Sequence, residues 1–202
     1  VMLAHSMGAH IGMHYLKQYK DHFNCAALTA PMFGIKDLVG VPQTAIALLP
    51  GIEQLYAPGP SRGKWNEKVR APTPNDDFSN DEARRLIHNA WSRANPALQI
   101  GGVTFGWVYH AAQSCYELQK PEFPQSIETP CLIAKAGHEM FIDNAMIDRV
   151  GALLPEVKLI EYPNAGHELL MEKDDIRGDF LNRFYKLITE NTNDRPEALK
   201  PA

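Results

Sequence analysis

Apolar runs of four to six residues alternate with amphipathic stretches along most of the chain. The apolar runs predict strands at 1–4, 25–30, 131–134 and 157–162. The stretches between and after them predict helices at 9–20, 82–92, 101–118, 144–153 and 173–189. Because strands alternate with helices, we expect a mostly parallel sheet with helices on both faces, which is the α/β class.

The middle of the chain breaks this alternation. Prolines recur between Met32 and Pro96, and apolar stretches such as 41–49 suit short helices there. We therefore expect a mostly helical cap that is inserted into a core. The predicted organisation is a core segment at 1–31, the cap at 32–96, a second core segment at 97–190 and a disordered tail at 191–202.

The composition is that of an ordinary globular domain. Of the 202 residues, 45% are hydrophobic and 22% are charged, and the net charge of −4 gives no basic surface for nucleic acid. No apolar run approaches the length of a membrane span. The cysteines are widely spaced and odd in number, which favours buried thiols in a reducing compartment and hence a cytoplasmic protein. They are Cys25, Cys115 and Cys131.

Ser6 lies at the junction between the first predicted strand and the first predicted helix. Two small residues, Ala4 and Gly8, lie two positions before and after it. A serine on such a tight turn exposes its hydroxyl, and small neighbours avoid clashes there. The amide of Met7 can then point toward a developing oxyanion. The pattern predicts a nucleophile elbow, against the alternative of a serine in an ordinary turn.

A serine nucleophile needs a base and an acid, and candidates for both follow the late strands. His167 comes after the last strand, with small residues before it. Glu139 and Asp143 come after the preceding strand, where the acid of such an arrangement belongs. Asp143 directly precedes a predicted helix, and an aspartate there is suited to cap the first turn. From the residues alone, both carboxylates are candidates for the acid.

Several stretches of the chain resemble serine hydrolases of the α/β-hydrolase fold, and among them the bacterial lysophospholipases related to monoacylglycerol lipases. The stretches are LAHSMG at 3–8, APMFG at 30–34, LQIGGVTFGWV at 98–108, EMFIDN at 139–144, and GHE at 166–168 with EKD at 172–174. Together they extend from Val1 to about Ile188. The resemblance implies an α/β-hydrolase fold with a helical cap, and it selects Glu139 over Asp143 by its register.

The resemblance also implies an activity. It implies a serine ester hydrolase of lysophospholipids or monoacylglycerols, with Ser6 as nucleophile, His167 as base and Glu139 as acid. Asp143 is the alternative acid, and the Met7 amide binds the oxyanion. No metal and no organic cofactor are implied. The partner is a lipid or small ester, the segment 32–96 is where an apolar lid would lie, and peripheral contact with the inner membrane is compatible with this activity.

The other histidines have structural interpretations. His10 and His14 lie one helical turn apart, but no third ligand accompanies them, which favours a packed helix face over a metal site. His5 is expected to shape the floor of the pocket. His138 precedes the candidate acids, contrary to the order serine, acid, histidine, so we do not expect it to be the base.

The chain begins at Val1, only five residues before Ser6, although an elbow of this type follows several strands. We expect a longer gene product that includes a loop with the second oxyanion amide, and little activity and poor stability for the 202 residues alone. Two other functions stay open. One is a different acyl-transfer reaction on the same residues, and the other is a hydrolase-like binding protein without catalysis.

Overall fold

A parallel sheet forms the centre of the molecule. The computed structural model describes residues 1–48 and 78–192. Within these ranges, four parallel strands follow one another in the order β1 (Met2–His5), β2 (Ala26–Thr29), β3 (Cys131–His138) and β4 (Val157–Gly166). The predicted parallel sheet is confirmed. Since the carboxyl ends of parallel strands meet at one edge, the segments after β1, β3 and β4 lie at the same end of the sheet.

Helices connect the strands and cover the sheet. They are α1 (Ser6–Gln18), α2 (Gln43–Ile46), α3 (Glu82–Arg85), α4 (Ile87–Ala94), α5 (Phe105–Leu118), α6 (Glu122–Gln125), α7 (Asn144–Gly151) and α8 (Asp174–Asn191). Short 3-10 turns occur at Lys36–Leu38, Pro96–Leu98 and Leu169–Met171. None of the described helices has both the length and the apolar character needed to cross a membrane.

The two central strands, β2 and β3, are buried on both faces of the sheet, as expected for an α/β protein. Leu28 and Ile133 pack into one apolar cluster with α1, α5 and α7. The neighbouring residues Ala27 and Leu132 point the other way and pack against Phe180 of α8. Burying a side chain of this size contributes roughly 1.5–3 kcal/mol, so the two clusters together hold the helices against the strands.

The late strands β3 and β4 each continue four residues past their predicted ends. The apolar pattern of β3 stops at Lys135, but this lysine is buried within the strand. Its ammonium group lies 2.6 Å from a carboxylate oxygen of Asp148 and 3.1 Å from one of Glu161. Paired in this way, a charged residue is accommodated in a buried strand. The sequence pattern therefore ended the strand too early.

The helix predicted at 82–92 is divided in two. α3 and α4 are separated at Leu86. Asp81 caps α3, since its side chain accepts hydrogen bonds from the amides of Ala83 and Arg84 at 3.1 and 2.9 Å. The cap at this start of the helix agrees with the loop predicted before residue 82.

α5 begins later than predicted, at Phe105 and not at Gly101. Thr104 sets this boundary, because its hydroxyl accepts a hydrogen bond from the Trp107 amide at 3.0 Å. A threonine N-cap has extended backbone, so the residues before it are not helical. Trp107 packs against the core.

α4 buries two small polar residues and exposes its large apolar side chains. Asn89 and Ser92 are buried, whereas Ile87 is 38% exposed and Trp91 is 64% exposed. Trp91 therefore lies on the surface and does not pack into the core of the described residues. A helix with this orientation gains little from burial of its apolar residues, and it places an apolar surface in solvent.

The predicted cap is described in two parts, 32–48 and 78–96. These parts hold α2, α3, α4 and the 3-10 turn at Lys36–Leu38, in keeping with a mostly helical segment. The remainder of the predicted cap, 49–77, lies outside the described residues, and so does the predicted tail beyond residue 192.

The cysteines are free and buried, as predicted. Burial raises the pKa of the Cys115 and Cys131 thiols to about 12 and also raises the pKa of Cys25. Since the thiolate is the reactive form, these side chains behave as small apolar core residues.

Candidate active site

Ser6 occupies the sharp turn from β1 into α1. Its φ is 52°, in the left-handed region where a side chain other than glycine is strained. His5, directly before it, is extended, with φ −126° and ψ 140°. The backbone thus changes from strand to helix at Ser6, at the carboxyl edge of the sheet.

The small residue that this turn requires is not Gly8. A Cβ atom on Gly8 would meet no heavy atom of the described residues within 4 Å. A Cβ atom on Gly12 would lie 2.8 Å from Sδ of Met2 and 3.9 Å from Cβ of Ala4. The small residues around Ser6 therefore serve, at Gly12 and Ala4, to bring α1 close to β1.

Ser6, His167 and Glu139 form one hydrogen-bonded chain. The Ser6 hydroxyl lies 3.0 Å from Nε2 of His167, and Nδ1 of His167 lies 2.7 Å from Oε2 of Glu139. A carboxylate only accepts hydrogen bonds, so Nδ1 carries the proton and donates it. Nε2 is then free to accept from the serine hydroxyl. His167 and Glu139 are buried, with 6% and 7% of their surface exposed.

Glu139 is held in place by the loop that carries it. This acid loop (residues 139–143) lies between β3 and α7. Oε1 of Glu139 accepts hydrogen bonds from the amides of Phe141 and Ile142 at 2.8 and 3.2 Å, which leaves Oε2 for His167. The ammonium group of Lys36 donates to the Glu139 carbonyl at 2.8 Å. The carboxylate is therefore oriented before any substrate binds.

Asp143 has a different set of contacts. Its side chain accepts a hydrogen bond from the Ala145 amide at 3.0 Å and so caps α7. Its own amide donates to the Gly34 carbonyl at 3.1 Å. The carboxylate bonded to His167 is that of Glu139, and Asp143 stands in the capping position predicted for it.

The first turn of α1 leaves backbone amides available beside Ser6. In the described part of the chain, no side chain caps this helix and its first turn holds no acidic residue. Met7 lies in that turn, and its amide is among those without an acceptor inside the helix. A helix N-terminus also carries partial positive charge, which favours an anion there.

Aromatic rings enclose the imidazole of His167. The ring of His5 lies 4.8 Å from it and that of Phe141 lies 5.1 Å away, centroid to centroid. Nδ1 of His5 donates to the Thr29 carbonyl at 3.1 Å. Burial, and secondly the neighbouring His167, lower the pKa of His5 to about 4. His5 is therefore a neutral packing partner of His167 at neutral pH.

His10 and His14 bind a serine of α5. Ser114 Oγ lies 2.6 Å from Nε2 of His10 and 2.9 Å from Nε2 of His14. Nδ1 of His10 donates to the Met32 carbonyl at 2.8 Å, and the Met32 amide donates to the carbonyl of Ser6 at 3.1 Å. The pair is the packed helix face that was predicted, and it supports the backbone of the elbow.

His138 lies at the exposed end of β3 and takes no part in the hydrogen-bonded chain. It lines an open cavity of about 330 Å³ that Tyr162 and Lys173 also line. Over the described residues, no group of three or more histidine, cysteine, aspartate or glutamate side chains is arranged to hold a metal ion.

Sequence reasoning gave no role to Glu172, although its side chain is 0% exposed. Its carboxylate accepts hydrogen bonds from backbone amides, including that of Gly166 at 2.7 Å, directly before His167. A fully buried carboxylate with several amide donors is rare enough to mark a specific structural role. The stretch EKD at 172–174 that resembles the family includes this glutamate, but the sequence does not show that its side chain is buried.

The chain matches a family model and two lysophospholipases. A protein-family model described as serine aminopeptidase, S33, matches residues 1–174. The probable lysophospholipase L2 of Haemophilus influenzae is 33% identical over 183 residues, which are 89% of this chain and 56% of that protein. Lysophospholipase L2 of Escherichia coli K12 is 27% identical over 203 residues, covering 90% of this chain and 57% of that protein. The chain spans a little over half the length of these relatives.

Solved structures share the fold at low identity. A monoglyceride lipase from Saccharomyces cerevisiae matches with a TM-score of 0.66 and 18% identity over 95% of this chain and 62% of that one. A thermostable carboxyl esterase from Bacillus coagulans matches with a TM-score of 0.66 and 17% identity over 94% of this chain and 64% of that one. The fold is therefore the α/β-hydrolase fold, as expected from the sequence.

Proposed function

Since the chain belongs to the serine hydrolase family described as serine aminopeptidase, S33, we propose that it acts as a carboxylic ester hydrolase through Ser6, His167 and Glu139. The observation that carries the proposal is the hydrogen-bonded chain from Glu139 through His167 to the Ser6 hydroxyl. A serine is a poor nucleophile at neutral pH, and a neutral, oriented imidazole is the group that activates it.

The contacts support a two-step reaction. Ser6 Oγ attacks the ester carbonyl while its proton passes to Nε2 of His167. The Met7 amide donates to the developing oxyanion, together with a second donor. His167 then returns the proton to the leaving alcohol, and the acyl group stays on Ser6. Water attacks the acyl-enzyme with His167 again as base, which releases the acid and restores the serine.

The substrate we propose is a lysophospholipid or a monoacylglycerol. Lysophospholipases stand among the curated relatives, and the fold is shared with a monoglyceride lipase. Apolar side chains support a lipid acyl group beside the base, since Met140 and Phe141 of the acid loop are each 38% exposed. We place the protein in the cytoplasm with peripheral membrane contact, which the exposed Trp91 and Ile100 favour.

We assign the segment 32–96 as a cap that acts as a lid. Two contacts of its described ends support this assignment: Lys36 contacts the acid loop, and Phe78 contacts the segment around His167. An apolar lid there would bind an acyl chain and exclude water from the acyl-enzyme.

Labelling with a fluorophosphonate tests the proposal, because only an activated serine reacts. We expect the complete gene product to be labelled and to hydrolyse p-nitrophenyl butyrate and a lysophospholipid. Ser6→Ala should remove the label and leave below about 1% of the turnover, since the triad residues act as a unit. Ser126→Ala, which alters a serine whose hydroxyl donates to the Phe123 carbonyl, should behave as the unaltered protein.

Two results would contradict the proposal. Labelling of the Ser6→Ala variant would move the nucleophile elsewhere. Hydrolysis of amino-acid p-nitroanilides without hydrolysis of either ester would assign the protein to the peptidase activity in the family description.

A further inference from the structure

Glu172 connects two segments that are far apart in the chain. It lies in the histidine loop (residues 167–173), between β4 and α8. Oε1 accepts from the Gly166 amide at 2.7 Å and from Nδ2 of Asn80 at 2.9 Å. Both carboxylate oxygens lie 3.2 Å from the backbone nitrogen of Asn80, and Oε2 lies 3.3 Å from the backbone nitrogen of Lys173. The carboxylate thus binds the loop at both its ends and binds Asn80 as well.

Asn80 reaches the same loop from the other side. Its Nδ2 also donates to the Asn164 carbonyl at 2.7 Å, near the end of β4. The neighbouring Ser79 donates from its hydroxyl to the Met171 carbonyl at 2.6 Å, and the Phe78 carbonyl accepts from the Glu168 amide at 2.7 Å. Residues 78–80 therefore lie along the histidine loop and contact it both near its start, at Glu168, and near its end, at Met171.

The position of His167 depends on contacts of the backbone on either side of it, in addition to the hydrogen bonds of its own side chain. Gly166 precedes it and is bound to Glu172, and Glu168 follows it and is bound to Phe78. The Ser6 to His167 distance of 3.0 Å depends on where this short stretch of backbone lies. A displacement of about 1 Å between reacting groups can lower turnover about a hundredfold.

We infer that Glu172 and Asn80 are positioning residues for His167, and that through them the segment at 78–84 controls the placement of the base. This inference rests on the proposed hydrolase function. The burial of the carboxylate supports it, since a charge that is 0% exposed persists only where donors surround it. An exposed loop-closing contact would not need such a group.

Two substitutions test the inference in the complete gene product. Glu172→Gln keeps the shape but directs an NH₂ group toward amide donors, and Asn80→Ala removes two hydrogen bonds at an exposed residue. Glu190→Gln is the matched control, because it is the same chemical change in a carboxylate bonded to Lys158 near the opposite end of β4. If Glu172→Gln does not fold, Asn80→Ala decides.

The readout is hydrolysis of p-nitrophenyl butyrate, measured well below the unfolding temperature of each variant. We expect kcat to fall about 10- to 100-fold in Glu172→Gln and in Asn80→Ala, with KM changed less than about twofold. The double variant should lose little more than Glu172→Gln alone, because the two residues act through one contact. Glu190→Gln should retain its kcat.

A second readout separates positioning from stability. The Nδ1 proton of His167 is bound to Glu139 at 2.7 Å, so it should give a far-downfield proton resonance. We expect this resonance to shift or broaden in Glu172→Gln and Asn80→Ala and to stay unchanged in Glu190→Gln.

The outcomes are distinct. Absence of ester hydrolysis in the unaltered protein would overturn the proposed function, and the inference with it. Hydrolysis by the unaltered protein with unchanged kcat in the variants would overturn the inference alone. Lowered melting temperatures with an unchanged resonance and unchanged kcat would make Glu172 a purely structural residue and would also overturn it.

Discussion

Gly137 lies so close to Pro163 that a Cβ atom on the glycine would be 2.1 Å from the Pro163 carbonyl oxygen. The contact joins β3 and β4 just before the acid loop and the histidine loop begin. The pairing register shifts there, between Ala136 and His138. Glycine permits the close approach of two backbones at such a bulge. This contact therefore sets how far apart the two strands are where the loops that carry Glu139 and His167 begin.

Gly137→Ala is expected to destabilise the protein by about 1–3 kcal/mol or more, because the added methyl group meets backbone that cannot rotate away. Gly178→Ala is the control, since Gly178 lies within α8 and a Cβ there meets no described atom within 4 Å. That change should stabilise by about 0.5–1 kcal/mol. Urea unfolding measures the stability of both variants. If Gly137→Ala were as stable as the unaltered protein, the two strands would be able to move apart without penalty.

Glu139→Gln is expected to lower kcat between about 10²- and 10⁴-fold, because an amide nitrogen then faces Nδ1 of His167 and disfavours its correct tautomer. Asp143→Asn should keep its kcat and lose about 1 kcal/mol of stability or less, since asparagine also caps helices. Steady-state kinetics and thermal unfolding of both variants distinguish the two roles. The reverse result would make Asp143 the acid.

Replacing residues 49–77 with a short linker is expected to lower kcat/KM for long-chain acyl esters far more than for acetate and butyrate esters. A lid contributes binding to long chains and excludes water, whereas short esters need it less. The replacement retains 32–48 and 78–96, whose contacts hold the two loops. A series of p-nitrophenyl esters measures the effect. Losses of equal size along the series would speak for structural packing in place of a lid.

Stability is expected to decrease below pH 6.5 because of His10. Burial, and secondly His14, lower its pKa from 6.5 to about 4, so the unfolded chain binds a proton there that the folded chain does not. The stabilisation is complete above pH 6.5 and is lost as the pH falls to about 4, up to about 3 kcal/mol. Urea unfolding at several pH values measures this slope.

Substitution at His10 tests its share of the slope. His10→Gln should make stability less dependent on pH between 4 and 6.5, while His5, with a similarly lowered pKa, retains its own contribution. His110→Gln, at an exposed histidine, should leave the slope as it is. A slope that His10→Gln does not change would assign the acid sensitivity to other groups.

The sequence predicted the elements whose pattern is local. Apolar runs located the four strands, and an aspartate before a helical stretch was enough to predict the cap made by Asp143. The end of β3 was missed because Lys135 interrupts the apolar pattern, and its partners Asp148 and Glu161 are known only from the fold.

At the candidate site, residue type and chain order were sufficient to select Ser6 and His167 and to reduce the acid to Glu139 or Asp143, and the family resemblance selected Glu139. The structure joins Ser6, His167 and Glu139 by hydrogen bonds. Residue type and chain order were insufficient for the groups that support them. They did not predict the close helix–strand contact at Gly12, whereas a Cβ atom at Gly8 would meet no described heavy atom within 4 Å. Glu172 went unassigned because its partner Asn80 is distant in sequence.

The burial of all three native thiols makes the protein suitable for site-specific chemical modification. With the pKa of Cys115 and Cys131 raised to about 12 and that of Cys25 also raised, the native cysteines should react slowly with alkylating reagents at neutral pH. A cysteine introduced at position 6 would therefore be the fast-reacting thiol, beside the imidazole of His167. Maleimide or iodoacetamide derivatives could then place a spectroscopic probe at the candidate nucleophile without removing Cys25, Cys115 or Cys131.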